Sequence, residues 1–587
     1  MTLKPLRVWP GVVAAIVLVT ARFGLKAVIP GFKGFRLGMM WALGASLAVL
    51  VWWTCFSRAR WFERIGGVAL IVAGLAAAWL VRHESMGPLW LVAYALQLAC
   101  VALVIGAVLG RQLPAGPRRA TIAAAILLAC GVWTLFRMDG ISGDHNALFA
   151  WRWAKSPEEK LLAVDAPKPQ PRQPDVPDVV APAVAPEPAK AKATPVAPAR
   201  PIPTAIDWPG FRGVNRDGIT RGIRIETDWS ASPPVQLWRR PVGPGWSSFA
   251  VDGTRVYTQE QRGDDEVVTC YDATTGEPMW THHDPARFFE SNAGAGPRGT
   301  PTLHNGRVYT FGATGIVNAL DARDGRLAWS RNAASDTGVT LPYWGFSSSP
   351  LVVDDRVIVA VSGRLIAYDL ESGKQRWLAM SAGESYSSPH LVAIDGVRQV
   401  VLLGASGVTS VMPADGKRLW QHRWGGMPIV QPALTADGDL LISGSAESGT
   451  RRLAVARRAD RWIVEPRWTS TALKPYFNDF VVHRGHAYGF DARILACIDI
   501  ADGARKWKGG RYGNGQLLLL PEQDLLLVLS EEGELALVRA TPDQFSEVAR
   551  VPAIEGKTWN HPVLVRDTLL VRNAEEMAAF RLSLAKR

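Results

Sequence analysis

The 587-residue chain carries a formal net charge of +12, and its length predicts several domains. The charge excess lies in residues 1–206, which hold 22 Lys and Arg against 10 Asp and Glu, whereas residues 207–587 hold 43 of each. The second part is therefore neutral and lacks the basic surface that binds phosphate backbones, so no nucleic-acid partner is expected.

Five apolar stretches precede residue 140, and a helix needs about 20 apolar residues to cross a bilayer. The second and fourth stretches are long enough, the third is at the limit, and Arg22 and Lys26 interrupt the region after the first. A signal peptide is the alternative for the first stretch, but it lacks a cleavage site and further spans follow. We therefore expect residues 1–137 to form a transmembrane anchor of about five helices, over 8–21, 37–56, 65–81, 88–110 and 119–136.

The Lys and Arg residues of the short loops indicate the orientation of this anchor. With the N-terminus inside the cell, eight basic residues lie on the inner side and six on the outer side, a weak bias. An odd number of spans then places the chain after residue 137 outside the cytoplasm. This pattern predicts a multi-pass protein of the bacterial inner membrane with its C-terminal part in the periplasm.

Residues 138–206 join the anchor to the rest of the chain. Trp151 and Trp153 beside Arg152 are typical of a membrane interface. Residues 155–206 are rich in Pro, Ala and Lys, a composition that favours extended polyproline II and cannot build a core. We expect a semi-rigid linker that holds the following domain away from the membrane.

A repeated unit is the strongest signal in residues 207–587. It reads VVTCYDATTGEPMW at 267–280 and returns at 316–329, 364–377 and 494–507, with a weaker copy at 407–420. The pattern predicts a strand, a tight turn and a second strand. The turn Asp accepts bonds from the backbone, the Gly supplies a positive φ, and the Trp begins an outer strand that docks on its neighbour.

A second pattern, a short polar run followed by a strand, occurs eight times. Its roughly 39- to 49-residue spacing matches one four-stranded blade. A lone strand near Gln236–Arg240 is predicted to pair with the last blade and close the ring. The fold prediction is an all-β, eight-bladed propeller over 207–587, with seven blades as the alternative count. The eight copies begin at Trp246, Arg298, Phe346, Tyr386, Ile429, Phe477, Asn514 and Trp559.

The run from Asp272 through Gly276 to Trp280 resembles the signature of the pyrroloquinoline-quinone (PQQ)-like repeat family. The segment 207–218 resembles a motif found ahead of many such propellers. The resemblance implies the fold and two functional classes: PQQ-dependent dehydrogenases, and non-catalytic scaffolds such as the BamB lipoprotein of outer-membrane assembly. A helical anchor ahead of a propeller is also similar in layout to membrane-bound glucose dehydrogenase.

The dehydrogenase class would need a calcium ion with six or more oxygen ligands, a base, and groups that hold the cofactor. The candidates are Asp479 and His561 for catalysis; Arg298, Arg572, Trp344 and Trp559 for the cofactor; and Asn478, Asp479 and Glu260 for the metal. Each has a structural alternative: turn or cap pairs, packing residues, and polar groups that satisfy strand backbones.

Two departures from the dehydrogenases favour a scaffold. The vicinal disulfide of their alcohol-oxidising members is absent, and residues 207–587 suffice only for eight blades with short loops. We therefore predict a membrane-anchored periplasmic propeller that binds a protein partner. The alternative is a dehydrogenase dependent on PQQ and Ca²⁺ that oxidises alcohols or sugars and feeds membrane quinone; a small-ligand or carbohydrate-binding module is a third possibility.

Overall fold

The computed structural model describes residues 6–29, 32–143, 146–165, 207–444 and 448–585. Its N-terminal part contains five long helices. Short π or 3₁₀ turns follow three of them, at Trp52–Phe56, Gly110–Gln112 and Val132–Leu135. The helices are α1 (Trp9–Val28), α2 (Phe32–Val51), α3 (Trp61–Val81), α4 (Pro88–Leu109) and α5 (Ala115–Gly131).

Four helical stretches among the described residues are long and apolar enough to cross a membrane, whereas α1 has a shorter apolar run at Trp9–Leu25. Small residues allow close packing: a Cβ atom added at Gly106 of α4 would lie 2.9 Å from the Cα of Ile122 in α5. At one end, Glu63 of α3 accepts from Arg118 at 3.0 Å. The four stretches are Gly34–Phe56, Trp61–Val81, Ala93–Gln112 and Ala115–Leu135.

A β-hairpin follows α5, with β1 (Phe136–Ile141) antiparallel to β2 (Ala147–Trp151). Residues Pro157–Asp165 then form helix α6, where extended linker is expected from composition. Its start is a capping box, because Glu159 N donates to Ser156 Oγ at 3.0 Å and Ser156 N donates to Glu159 Oε2 at 2.6 Å. The predicted linker residues 166–206 lie outside the described residues.

Eight four-stranded antiparallel sheets lie between Val235 and Arg581, as the repeats predict. From the inner to the outer strand they are: blade 1, Ala250–Asp252, Arg255–Arg262, Asp265–Asp272, Pro278–Asp284; blade 2, Thr302–His304, Arg307–Phe311, Ile316–Asp321, Leu327–Asn332; blade 3, Leu351–Val353, Arg356–Val361, Arg364–Asp369, Gln375–Met380; blade 4, His390–Ile394, Val397–Gly404, Gly407–Val411, Arg418–Arg423; blade 5, Ala433–Leu434, Leu440–Ser443, Thr450–Arg458, Arg461–Ser470; blade 6, Val481–His483, His486–Asp491, Ile494–Asp499, Arg505–Arg511; blade 7, Gln516–Leu520, Leu525–Leu529, Glu534–Arg539, Glu547–Pro552; and blade 8, Val563–Val565, Thr568–Arg572, Glu576–Arg581, Val235–Pro241.

The first strand of the propeller closes the ring. Val235–Pro241 pairs antiparallel with Glu576–Arg581 and becomes the outer strand of blade 8, with Trp238 opposite Ala579. This confirms the predicted closure and the count of eight blades. Because the first strand pairs with the last blade, that blade also has four strands. Neither the first nor the last strand of the propeller is left unpaired.

The core lies between blades. Leu525–Leu529 in the second strand of blade 7 is buried at every position. The strand reads as an uninterrupted apolar run because each of its two faces packs on a neighbouring blade.

Outer-strand tryptophans join successive blades. Trp280 Nε1 of blade 1 donates to Ala322 O of blade 2 at 3.2 Å, and its ring covers the turn at Gly325. The same Nε1-to-carbonyl bond runs from Trp238, Trp329, Trp377, Trp468 and Trp507 to the following blade. Trp420 is the exception, since its Nε1 donates to Gln399 Oε1 within its own blade at 2.6 Å.

Candidate functional site

The propeller has two faces. The loop face carries the segments that lead from each outer strand to the next inner strand, together with the turns between second and third strands. The turn face carries the other turns. The inner strands line the central channel, which runs from one face to the other.

A belt of polar side chains surrounds the channel where the inner strands begin. At four joints between blades, a backbone N–H of the belt donates to a side-chain oxygen of the next blade. The bonds are Ser248 N to Thr300 Oγ1 at 3.0 Å, Thr300 N to Ser349 Oγ at 3.0 Å, Ser349 N to Ser388 Oγ at 2.9 Å and Gln431 N to Asp479 Oδ1 at 2.6 Å. The polar residues of the second repeat pattern therefore satisfy backbone groups and couple neighbouring blades.

Residues 207–220, the leading segment, cross the turn face. Trp208 pairs with Val251 of blade 1, and Leu303 N of blade 2 donates to Pro209 O at 2.7 Å. Beyond blade 8, Leu519 N of blade 7 donates to Gly218 O at 2.9 Å. The segment therefore reaches from blades 1 and 2 to blade 7, across the end of the channel.

Two arginines of the leading segment extend into the channel. Arg212 Nη2 donates to Phe480 O at 2.8 Å. Arg216 donates to Pro350 O at 2.8 Å and to Ser349 O at 3.1 Å. The sequence analysis missed both residues. The sequence feature that could have indicated them is the presence of two cationic side chains in a Gly-rich motif, ahead of the repeats that carry the small polar residues.

The structure brings the two predicted catalytic residues together, next to the arginines of the leading segment. Asp479 Oδ2 lies 3.3 Å from His561 Nε2 and 3.6 Å from Arg212 Nε. Burial favours the neutral acid, yet Arg212, His561 and the Gln431 N–H outweigh it and hold the pKa of Asp479 below its usual value. Burial also lowers the pKa of His561, against the pull of Asp479. The pair is a carboxylate with a neutral imidazole.

Glu260 and Arg572 lie elsewhere, where blade 1 meets blade 8. Arg572 donates to Gln259 O and Gly243 O, each at 3.0 Å. Glu260 Oε1 accepts from Tyr271 Oη and Thr269 Oγ1, each at 2.7 Å, and from Arg262 at 3.1 Å. Burial raises the pKa of Glu260, but Arg262 and Arg572 outweigh it, so the pKa is lowered. These two residues fasten the closed ring.

Arg298 stabilises the loop between blades 1 and 2. It pairs with Glu290 at 3.3 Å, donates to Gly294 O at 3.0 Å and lies 4.6 Å from the ring centroid of Phe288. Burial lowers the pKa of Arg298 to about 10. Its donors face its own loop, which contains the paired strands Phe289–Glu290 and Gly294–Ala295.

Trp559 lies in an aromatic cluster on the loop face. Its ring is 4.8 Å from Trp246 and 4.9 Å from Phe477, and Lys557 Nζ lies 4.5 Å from its centroid. Asn478 is next to this cluster in sequence, and its Oδ1 accepts from Tyr476 N at 3.0 Å.

The tip of the hairpin docks beside this cluster. Ile141 N donates to Asn292 O at 2.7 Å, Lys557 Nζ donates to Ile141 O at 3.0 Å, and Gly143 N donates to Glu531 Oε1 at 2.5 Å. Burial lowers the pKa of Lys557 to about 8.

Helix α6 adds a second contact to the same face. Glu158 pairs with Arg287 at 2.8 Å and accepts from Gly263 N at 2.9 Å. The hairpin and α6 therefore hold the loop face toward the helical part.

Trp344 belongs to a separate aromatic patch on the loop face. Its ring lies 5.0 Å from Tyr386 and 6.1 Å from Tyr343. Tyr343 is 57% exposed, Leu341 50% and Met427 37%. These five residues are the aromatic patch.

The predicted metal and cofactor residues do not fit a calcium site with bound PQQ. Asp479 faces a guanidinium, Glu260 is held by its own donors, and the two lie in different clusters. Across the described ranges, no three His, Cys, Asp or Glu side chains are arranged to hold a metal. Calcium needs six or more oxygens, several of them carboxylate.

The ring of blades and the Trp-to-Gly joints define an eight-bladed propeller of the PQQ-like repeat class. The family model described as "Outer membrane protein assembly factor BamB" matches residues 234–401 and 404–581, so the chain belongs to that family.

The similar proteins include both BamB proteins and dehydrogenases. BamB of Yersinia pestis is 27% identical over 373 residues, covering 60% of this chain and 88% of that protein. The lanthanide-dependent methanol dehydrogenase of Methylacidiphilum fumariolicum is 32% identical over 155 residues, covering 25% of this chain and 24% of that enzyme. Among solved structures, BamB from Moraxella catarrhalis aligns with a TM-score of 0.45 at 15% identity, covering 60% of this chain and 99% of that chain.

Proposed function

We propose that the protein is a membrane-anchored propeller of the bacterial inner membrane that faces the periplasm and binds a protein partner in envelope assembly. The observation that carries this proposal is the aromatic patch, exposed on a propeller whose own arginines extend into its channel. Tyr, Trp and Met are enriched at protein interfaces. The description of the family supports an assembly role.

The position of the patch supports a partner that binds next to the membrane anchor. Tyr343 Oη lies 3.4 Å from Ser291 Oγ, in the loop that also receives the hairpin through Asn292. A partner on the patch would therefore contact the propeller beside its own attachment to the helical part.

Site-specific photocrosslinking in intact cells tests this interface. A crosslinker at Tyr343 is expected to capture a defined protein, because the residue lies in the patch. The matched control is Val214, which is 69% exposed in the leading segment on the turn face. Equal capture at both positions, or none at Tyr343, Leu341 and Met427, contradicts the proposal.

The proposed membrane orientation has its own test. Asp460, whose side chain is fully exposed in blade 5 (101%), is replaced by Cys in a Cys55→Ser background; the other four cysteines are buried. A membrane-impermeant maleimide should label this variant once the outer membrane is permeabilised. Labelling only after the inner membrane is broken would place the propeller in the cytoplasm.

The dehydrogenase alternative is tested by PQQ binding to the purified full-length protein with Ca²⁺ present. Because Asp479 faces Arg212 at 3.6 Å, we expect no binding at high micromolar PQQ. Binding that EDTA removes, and that Asp479→Ala weakens, would favour the enzyme instead.

A further inference from the structure

The centre of the channel carries unbalanced positive charge. Arg212 and Arg216 contribute two positive charges and Asp479 one negative charge, while His390 and His561 are neutral imidazoles. Burial, reinforced by the two arginines, lowers the pKa of His390 to about 3. Burial and Arg212 lower the pKa of Arg216 to about 9, which leaves it charged at neutral pH.

These groups are shielded from solvent. Arg212 is 3% exposed, Arg216 8%, His390 6% and Asp479 4%. A buried net charge is unfavourable unless another charge balances it. The charged and titratable groups that act on one another here are these four and His561.

Two donors in the channel are unused. The terminal nitrogens of both arginines bond backbone carbonyls, and Arg212 Nε lies 3.6 Å from Asp479 Oδ2. Arg216 Nε, by contrast, is buried and has no hydrogen-bond partner among the described residues. His390 Nδ1 is likewise buried and unbonded in that part of the chain, and it is a donor in the tautomer that carries its hydrogen on Nδ1. Phe211 contacts both groups, since its ring lies 5.6 Å from the Arg216 guanidinium and 5.1 Å from the His561 ring.

We infer that the channel holds a small monovalent inorganic anion of the halide class, bound by Arg216 and His390. One such anion neutralises the excess charge and accepts from the unused nitrogens. The leading segment covers this part of the channel on the turn face, and the polar belt surrounds it. The inference is independent of any partner at the aromatic patch.

The test measures the thermal unfolding midpoint of the full-length protein in detergent, in sodium chloride, bromide, nitrate, sulfate or gluconate at equal ionic strength. An anion that binds only the folded state raises the midpoint. We expect chloride and bromide to raise it saturably relative to gluconate. Arg216→Met should lose this dependence, whereas Arg326→Met, whose side chain is 87% exposed, should keep it.

Bromide anomalous diffraction gives a second measurement that does not depend on the stability of a variant. A peak within hydrogen-bond distance of Arg216 Nε and His390 Nδ1 would support the site. The inference is overturned if the midpoint is the same in chloride and gluconate and no channel peak appears. A response confined to sulfate overturns the halide class, and peaks confined to the surface overturn the site.

Discussion

Asp479 illustrates how one position in the belt acquires a second role. Ser349 and Ser388 accept a backbone N–H from the preceding blade, and Asp479 does the same for Gln431. Its second oxygen faces Arg212, and no hydroxyl could balance that charge. From sequence, a carboxylate at this position of the repeat suggests a metal ligand. In the structure, Asp479 pairs instead with Arg212, which lies 267 residues earlier in the chain.

Asp479→Asn should lower the free energy of unfolding by about 3–5 kcal/mol, because it leaves the buried Arg212 without a countercharge. Urea denaturation measures the difference. The control is Asp354→Asn, which breaks the pair with Arg398 at 2.8 Å, in which both side chains are more than half exposed. That control should change stability by less than about 1 kcal/mol. Equal effects would show that the channel pair is solvated.

Glu266 predicts a pH dependence of stability. It is 4% exposed and accepts from Ala313 N at 2.9 Å and Thr314 Oγ1 at 3.0 Å. Burial raises the pKa of Glu266 from 4.5 to about 7. The folded state therefore holds a proton that the unfolded state releases, so this stabilisation is complete below pH 4.5 and disappears as pH rises through 7.

Glu266→Gln should remove that component, roughly 3 kcal/mol across the interval. Denaturation of both proteins from pH 4.5 to 8 measures it, and the difference between the two curves isolates Glu266 from other titrating groups. Parallel curves would contradict the raised pKa.

Among elements, the joint between blades depends on a glycine and a tryptophan from different repeats. Gly325 has φ +73°, and a Cβ atom there would lie 2.5 Å from Cε3 of Trp280. The strand, the turn and the Trp were predictable from sequence, because the same local pattern of residues occurs in five copies of the repeat. The Trp420 exception was not, since its partner Gln399 lies outside the repeated run.

Gly325→Ala should therefore cost both backbone strain and packing, about 3 kcal/mol or more. The matched control is Gly306→Ala in the same blade, with φ +74° and open space around the added carbon. It should cost only the strain, about 1–2 kcal/mol. Thermal or urea unfolding compares them, and equal losses would mean that the Trp ring moves aside at little cost.

Helix α6 and the leading segment show where sequence reasoning stops. Ser156 and Glu159 form a capping box that was present in the sequence, but the proline-rich composition around it favoured linker. The positions of Arg212 and Arg216 depend on carbonyls of Pro350 and Phe480, more than 100 residues away, and no local pattern reports such contacts.

At the scale of the whole molecule, the apolar helices and the propeller were predictable from the sequence, whereas their contact through the hairpin was not. Gly140 has φ +105°, and a Cβ atom there would lie 2.8 Å from Asn292 O. Gly140→Ala should therefore weaken the docking of the hairpin. Hydrogen exchange should increase at Ile141 N and around residue 292.

The control is Gly396→Ala, which has φ +74° and open space. It should leave exchange at the hairpin unchanged. If the Gly140→Ala variant exchanges like the wild type, the docking of the hairpin does not depend on the absence of a side chain at this position.

The pairing of Val235–Pro241 with Glu576–Arg581 also imposes an order on biosynthesis. During translation, the earlier strand emerges more than 300 residues before its partner, so it waits with an unpaired edge while the other blades form. Contacts between such distant residues form slowly, because a long loop must close first. The nascent propeller is therefore most exposed to proteases and to wrong strand pairing just before its last blade arrives, and a chaperone of the same compartment would act in that interval.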